Sequence, residues 1–370
     1  MMRRYDLDWL RVLVFLLLIF YHVGMFFVPW GFHIKNNEIV DWLTYPMWFT
    51  NQWRLPILFV ISGMGTFYAL QKRSGKQFVF ERLKRLAIPL FFGMLLIIPP
   101  QVYVERLVKD EFTGTYFEYL TGYAFKGVYP IGNISWHHLW FLPYLLLFSL
   151  LLIPLFLYLK KHPNIGLIVW LRNLMKKPLG LYVFIIPLYC FEAFLEPIFP
   201  VTHALIGDWF TIINGITLFF MGFLLISIKE QFWSTVELYR NYFLIIGVFS
   251  FSLMLLITHY YEDSTIRHFT EALLKVLNLW SWVLILFGFS AKYLNKKSTL
   301  LRYCNQAVYP FYILHQTVML VIAYYLIDLE LSWSFKAFIM ILGTFGITWI
   351  IYEFLIRRCK PLRPLFGLKK

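Results

Sequence analysis

Long apolar runs, separated by short polar and basic stretches, recur along the whole chain. They do not alternate, so they read as helices and not as strands of a membrane barrel. Ten are long enough to cross a hydrocarbon core, which takes roughly 17–25 helical residues. The expected spans are 9–30, 46–71, 85–103, 137–159, 179–196, 209–228, 241–261, 269–291, 303–326 and 333–356. The second starts in polar "FTNQWRLP", and the fifth is short and carries Glu192 and Glu196. No small-residue cleavage site follows the first run, which reads as a retained helix. The expected fold is an all-α polytopic membrane protein, one membrane domain over residues 1–370.

Composition sharpens this. The chain is 60% hydrophobic and 15% charged, too few charges for the surface of a soluble domain of 370 residues. The net charge of +14 does not indicate nucleic acid, because the basic residues cluster between apolar runs as orientation signals do. With the N-terminus inside, inner segments hold Arg3 and Arg4, six basic residues at 72–85 and five at 160–178. Two more lie at 229–240, four at 292–302 and six at 357–370, giving 25 of the 34. The outer loops hold five: Lys35, Arg106, Lys109, Lys126 and Arg267. That bias predicts about ten transmembrane helices with both termini cytoplasmic. Cys190, Cys304 and Cys359 are an odd, scattered set and indicate neither disulfides nor a metal site.

Ionisable residues at membrane depth are costly and are functional candidates. In "LRVLVFLLLIFYHV" the exceptions are Arg11 and His22, eleven residues apart. That is about three helical turns, so both fall on one face, roughly 16 Å apart along the axis. Asp8 can pair with Arg11. Taken alone, the stripe fits a snorkelling arginine and a histidine bonded to a neighbouring helix as well as it fits a functional pair. Arg54 sits at the outer mouth of the second span, against the charge bias, before Ser62, Gly63 and Gly65, which read as helix-packing residues. Arg82 and Arg85 share a face at the inner end of the third span and read as an anchor or as a phosphate grip. His137, His138 and Trp140 stand at the outer boundary of the fourth span. Adjacent histidines point to different sides of a helix, so no metal site is expected there. His315 lies near the middle of the ninth span, at a depth similar to His22. Glu353 and Arg357 have the spacing of a helix ion pair.

In order, "LDWLR", the Arg11–His22 spacing, "FVISG", "ERLKRLAIP", "HLWFLPYLL", "YILHQT" and "YEFLIR" resemble the membrane acyltransferase-3 family. The resemblance covers nearly the whole chain. Within the family, "RLPILFVISG", "HLWFL" and "YILH" look like the branch associated with succinylating periplasmic glucans. The O-antigen-modifying branch has a tryptophan-serine-leucine motif and then a glutamate near the fourth span. Here "LWFLPYLL" has no glutamate, so no role for that acid carries over.

The resemblance implies a multi-pass enzyme of the bacterial inner membrane. It would move an acetyl or succinyl group from cytoplasmic acyl-CoA, a co-substrate and not a bound cofactor, to a hydroxyl of an extracytoplasmic glycan. Arg11, Arg82 and Arg85 would bind the CoA phosphates. His22 would act as base on the acceptor hydroxyl or as a transient acyl carrier, with His315 orienting it or binding acceptor. Arg54, His138 and Trp140 would meet the sugar. The implied partners are acyl-CoA, the glycan and the bilayer; no nucleic acid is expected, and a homo-oligomer is left open. A transporter or flippase without chemistry is the alternative, although no inverted repeat is visible.

Overall fold

The computed structural model describes residues 4–369, so Arg3 and Lys370 of the basic count lie outside the described residues. In chain order the main helical segments are α1 (Tyr5–Met25), α2 (Thr44–Lys72), α3 (Gly75–Val108), α4 (His137–Leu151), α5 (Ile153–Lys161) and α6 (Leu179–Leu195). They continue as α7 (Trp209–Ser227), α8 (Lys229–Tyr260), α9 (Thr265–Tyr293), α10 (Thr299–Leu326) and α11 (Trp333–Ile356). Among the described residues no strand forms; one isolated bridge joins Val128 and Ile134. Among the described residues eight segments are long and apolar enough to cross a membrane, and counting the bent pair α4–α5 as one span makes nine. All ten expected spans fall on these helices. The fifth expected span, α6, is a shorter apolar helix, and the 48° bend between α4 and α5 falls beside Pro154, which cannot continue the helical ladder.

The helices group into two compact units. The first comprises Met1–Arg11, Phe49–Phe80 and Tyr144–Leu301. Within it α8 and α9 pack lengthwise, and α2 meets α7 backbone to backbone. A Cβ on Gly63 would lie 1.9 Å from the Phe219 carbonyl oxygen, and one on Gly222 would lie 2.0 Å from that of Val60. Small residues permit this approach in lipid. Gly65 has nothing within 4 Å of such a Cβ and is not part of that contact. Glu192 of α6 is ion-paired with Lys275 of α9. Large exposed side chains on α8, such as Ile245, Phe249 and Leu256, form an outward apolar face suited to lipid chains.

The second unit comprises Val12–Trp48, Glu81–Pro143 and Arg302–Lys370. Its core packs Val23, Phe26 and Phe27, at and just after the end of α1, with Met319, Leu320 and Ala323 of α10 and Met340 of α11. The helix ends at Met25, before Pro29 and earlier than the expected span. Lys35 caps it: its ammonium donates to the carbonyls of Met25 (2.6 Å), Val28 and Trp30 (3.0 Å). Lys336 of α11 is buried, with Asn36 Oδ1 at 3.0 Å and the Ile327 carbonyl at 2.9 Å. Near the C-terminus Gly367 adopts φ 67°, and a Cβ there would lie 1.9 Å from the Tyr309 ring. Glycine alone fits that seat.

Candidate active site

The helical repeat of α10 puts Tyr309, Tyr312 and His315 on one face. The tyrosine rings stack at 6.2 Å and 5°, and Tyr312 continues to His315 at 6.3 Å and 28°. Proline sets the lower anchor. Pro89 lies four residues after Arg85 and has no N–H, so the Arg85 carbonyl lacks its helical donor. The Tyr309 hydroxyl replaces it at 2.7 Å. The Tyr312 hydroxyl donates to the His138 carbonyl at 2.8 Å. Two π-helical turns, Leu83–Ala87 and Gly93–Ile97, run through the same part of α3.

His315 is fully buried. Its Nδ1 lies 2.8 Å from the Tyr312 carbonyl and 3.2 Å from that of Phe311. Carbonyls only accept, so the neutral ring carries its proton on Nδ1 and accepts through Nε2. That Nε2 is 3.0 Å from His22 Nδ1. His22 must therefore donate through Nδ1, which places its own lone pair on Nε2. The same logic orients the base of a serine-protease triad, with a neutral imidazole here in place of the carboxylate. The His22 ring, half-buried, stacks on Phe32 at 6.2 Å and 22°.

His138 completes the network from behind. Its Nε2 donates to the Ile313 carbonyl at 3.0 Å, its Nδ1 receives the Gln101 amide at 3.4 Å, and its ring edge meets His315 at 5.1 Å. Gln101 also binds Thr317 at 2.6 Å and accepts from Gln316 at 3.1 Å. Both His138 nitrogens are thus engaged within the packing.

The other expected site residues fall as follows. Arg85, bound through its carbonyl to Tyr309, and Arg82 three residues before it lie at the opposite end of the tyrosine stripe from the histidines. Arg85 is about half exposed, with Glu81 at 3.9 Å. Arg11 is 3.8 Å from Asp8 and is joined to His22 by continuous helix. Trp140 is half-buried beside Phe141. Arg54 belongs to the first unit, where it is buried and donates to Asn51 Oδ1 at 3.0 Å. Glu353 and Arg357 are ion-paired at 2.8 Å.

Sequence reasoning missed a second cluster. His33 Nδ1 is 2.7 Å from Glu105 Oε2, while Tyr129 (2.9 Å) and Lys109 (2.6 Å) hold Oε1. The His33 and His137 rings are 4.3 Å apart, and donor atoms of His33, Glu105 and His137 all lie within 4.8 Å of one another. The adjacent histidines therefore serve different groups, as expected, but one of them joins a set able to hold a metal. Burial, and then the Glu105 carboxylate, push the Tyr129 phenol up, so it stays a donor. Beside this cluster a cavity of about 410 Å³ is lined by Phe112, Tyr119, Tyr123, Pro130, Arg106 and Asn133, among others. Arg106 shapes its wall through bonds to Pro130, Gly132 and Asn133.

Apolar helices of membrane-crossing length around a hydrogen-bonded imidazole pair define the class: a multi-pass membrane protein. Residues 4–353 match the acyltransferase-3 model, described as an acyltransferase domain. The chain belongs to the acyltransferase-3 family and is a membrane acyltransferase. Its relatives include proteins called Glucans biosynthesis protein C from Salmonella paratyphi B, Salmonella dublin and Salmonella enteritidis. Each is 25% identical over 374 residues, covering 96% of this chain and 92% of the relative. No solved structure matches the chain.

Proposed function

We propose that this acyltransferase moves an acetyl or succinyl group from cytoplasmic acyl-CoA to a hydroxyl of an extracytoplasmic glycan, in a bacterial inner membrane. The observation that carries the reading is the His22–His315 hydrogen bond and the tautomer it imposes. His22 Nε2 takes the proton of the acceptor hydroxyl as its oxygen attacks the thioester carbonyl. The tetrahedral intermediate expels the CoA sulfur, which receives that proton back from His22. His315 is a positioning residue, holding the proton of His22 on Nδ1.

Arg82 and Arg85 suit the phosphates of the donor, and the Tyr309–Tyr312 stripe offers an apolar wall for the pantetheine arm on its way to His22. The names of the relatives and the cavity walled by Phe112, Tyr119 and Tyr123 support a sugar acceptor, because aromatic faces pack against pyranose rings.

The experiment is release of CoA from acetyl- and succinyl-CoA by purified protein with periplasmic glucan. His22→Ala should lower turnover at least 10²-fold, the usual contribution of a general base. His315→Ala should lower kcat about 10-fold or more with little change in either KM. Wild-type-like turnover of a folded His22→Ala protein would refute the assignment. An acyl group trapped on His22 would make it a nucleophile instead of a base.

A further inference from the structure

We propose that His33, Glu105 and His137 form a binding site for a divalent transition-metal ion, with Zn2+ the best-suited occupant. Two imidazoles and one carboxylate are a common protein donor set for zinc, with a coordination position left for water or another ligand. The donors come from three separate segments: the loop after α1, the outer part of α3 and the start of α4. Glu105 is 1% and His137 9% exposed, and His33 is partly buried.

The observation that points to a ligand is His137 Nε2, which is buried and has no hydrogen-bond partner among the described residues. A buried polar atom left unmet is costly and rare. On the same ring, Nδ1 sits 3.1 Å from the Ser135 hydroxyl, a contact that steadies the imidazole. Glu105 is oriented in the manner of a metal ligand. Tyr129 and Lys109 occupy Oε1, and Oε2 faces the histidines. The proton now shared by His33 Nδ1 and Glu105 Oε2 is what a cation would displace. Arg106 is neutralised by its ion pair with Glu111, so it does not oppose a second positive charge as a bare guanidinium would.

The site does not use the catalytic pair, yet it is coupled to it. Phe32 stacks on His22 on one side and meets the His33 ring at 5.1 Å on the other. A metal at His33 would brace the loop that holds Phe32 against the catalytic imidazole.

The test is metal content. Full-length protein in detergent is stripped with a chelator, refilled with Zn2+ alone, desalted and analysed by mass spectrometry. One zinc per chain is expected in the wild type and in His22→Ala, with a loss of tenfold or more in His137→Ala and Glu105→Gln. Wild type that retains no more zinc than these variants would overturn the proposal, as would full occupancy in His137→Ala. Should the variants fail to fold, Co2+-loaded wild type reads the ligands directly. The visible d–d bands of a low-symmetry nitrogen–oxygen site support the proposal, and the weak spectrum of the hydrated ion sinks it. Zinc content needs no substrate, so failure here is distinct from failure of the catalytic reading.

Discussion

At the scale of single residues, several of the buried polar groups that matter most are held by defined partners. Lys35 is the clearest case outside the spans. Its ammonium meets the last carbonyl of α1, Met25, and the loop carbonyls of Val28 and Trp30, and burial lowers its pKa to about 8. An unfolded lysine titrates near ~10.4, so between these values the unfolded chain holds more protons than the folded one. The penalty for burying the charge is present below about pH 8 and is relieved as pH rises through that window. The thermal midpoint of the wild type should therefore gain on that of Lys35→Met between about pH 8 and 10, measured in detergent. A difference that stays flat with pH would refute the shift. His22 and His315 were legible in the sequence because an imidazole inside an apolar run has few other reasons to be there. His33, Glu105 and His137 were not. Each is ordinary at a membrane boundary, and only folding brings positions 33, 105 and 137 together.

At the scale of elements, the apolar runs located every one of the long apolar helices, since a segment in lipid must satisfy its own backbone. They did not show where the ladders loosen. The π turns of α3 flank Pro89 and precede Pro99, and the carbonyls set loose there are taken by α10: Arg85 by Tyr309, and Ile97 by Thr317 at 2.7 Å. The packing of α3 on α10 thus depends on defects in one helix matched by hydroxyls on the other. The same seam ends at Arg82 and Arg85. Replacing both with alanine should raise the apparent KM for acyl-CoA about tenfold, with a smaller effect on kcat, because two charge-assisted phosphate contacts are lost. Unchanged acyl-CoA saturation would leave the pair as a membrane anchor only.

At the scale of the whole molecule, the 25-to-5 distribution of basic residues predicts that both termini face the cytoplasm. A fluorescent protein fused to the C-terminus should then glow, and alkaline phosphatase fused there should stay inactive. The reverse outcome would put Arg82 and Arg85 on the wrong side for a cytoplasmic donor. The charge bias was readable because it needs only the order of segments. The partition into two units was not, because each unit is assembled from three stretches separated along the chain.

That interleaving governs how the enzyme is made. His22 enters the membrane with the first helix, but its partner is encoded 293 residues later. During synthesis the ribosome must thread eight further helical segments before α10 delivers His315, and for that time the first imidazole lacks this hydrogen bond. A chain released before residue 299 would lack α10 and α11, and with them the His315 acceptor. Nonsense truncations should therefore yield material that proteases clear and that transfers no acyl group, with no graded series of partly active enzymes.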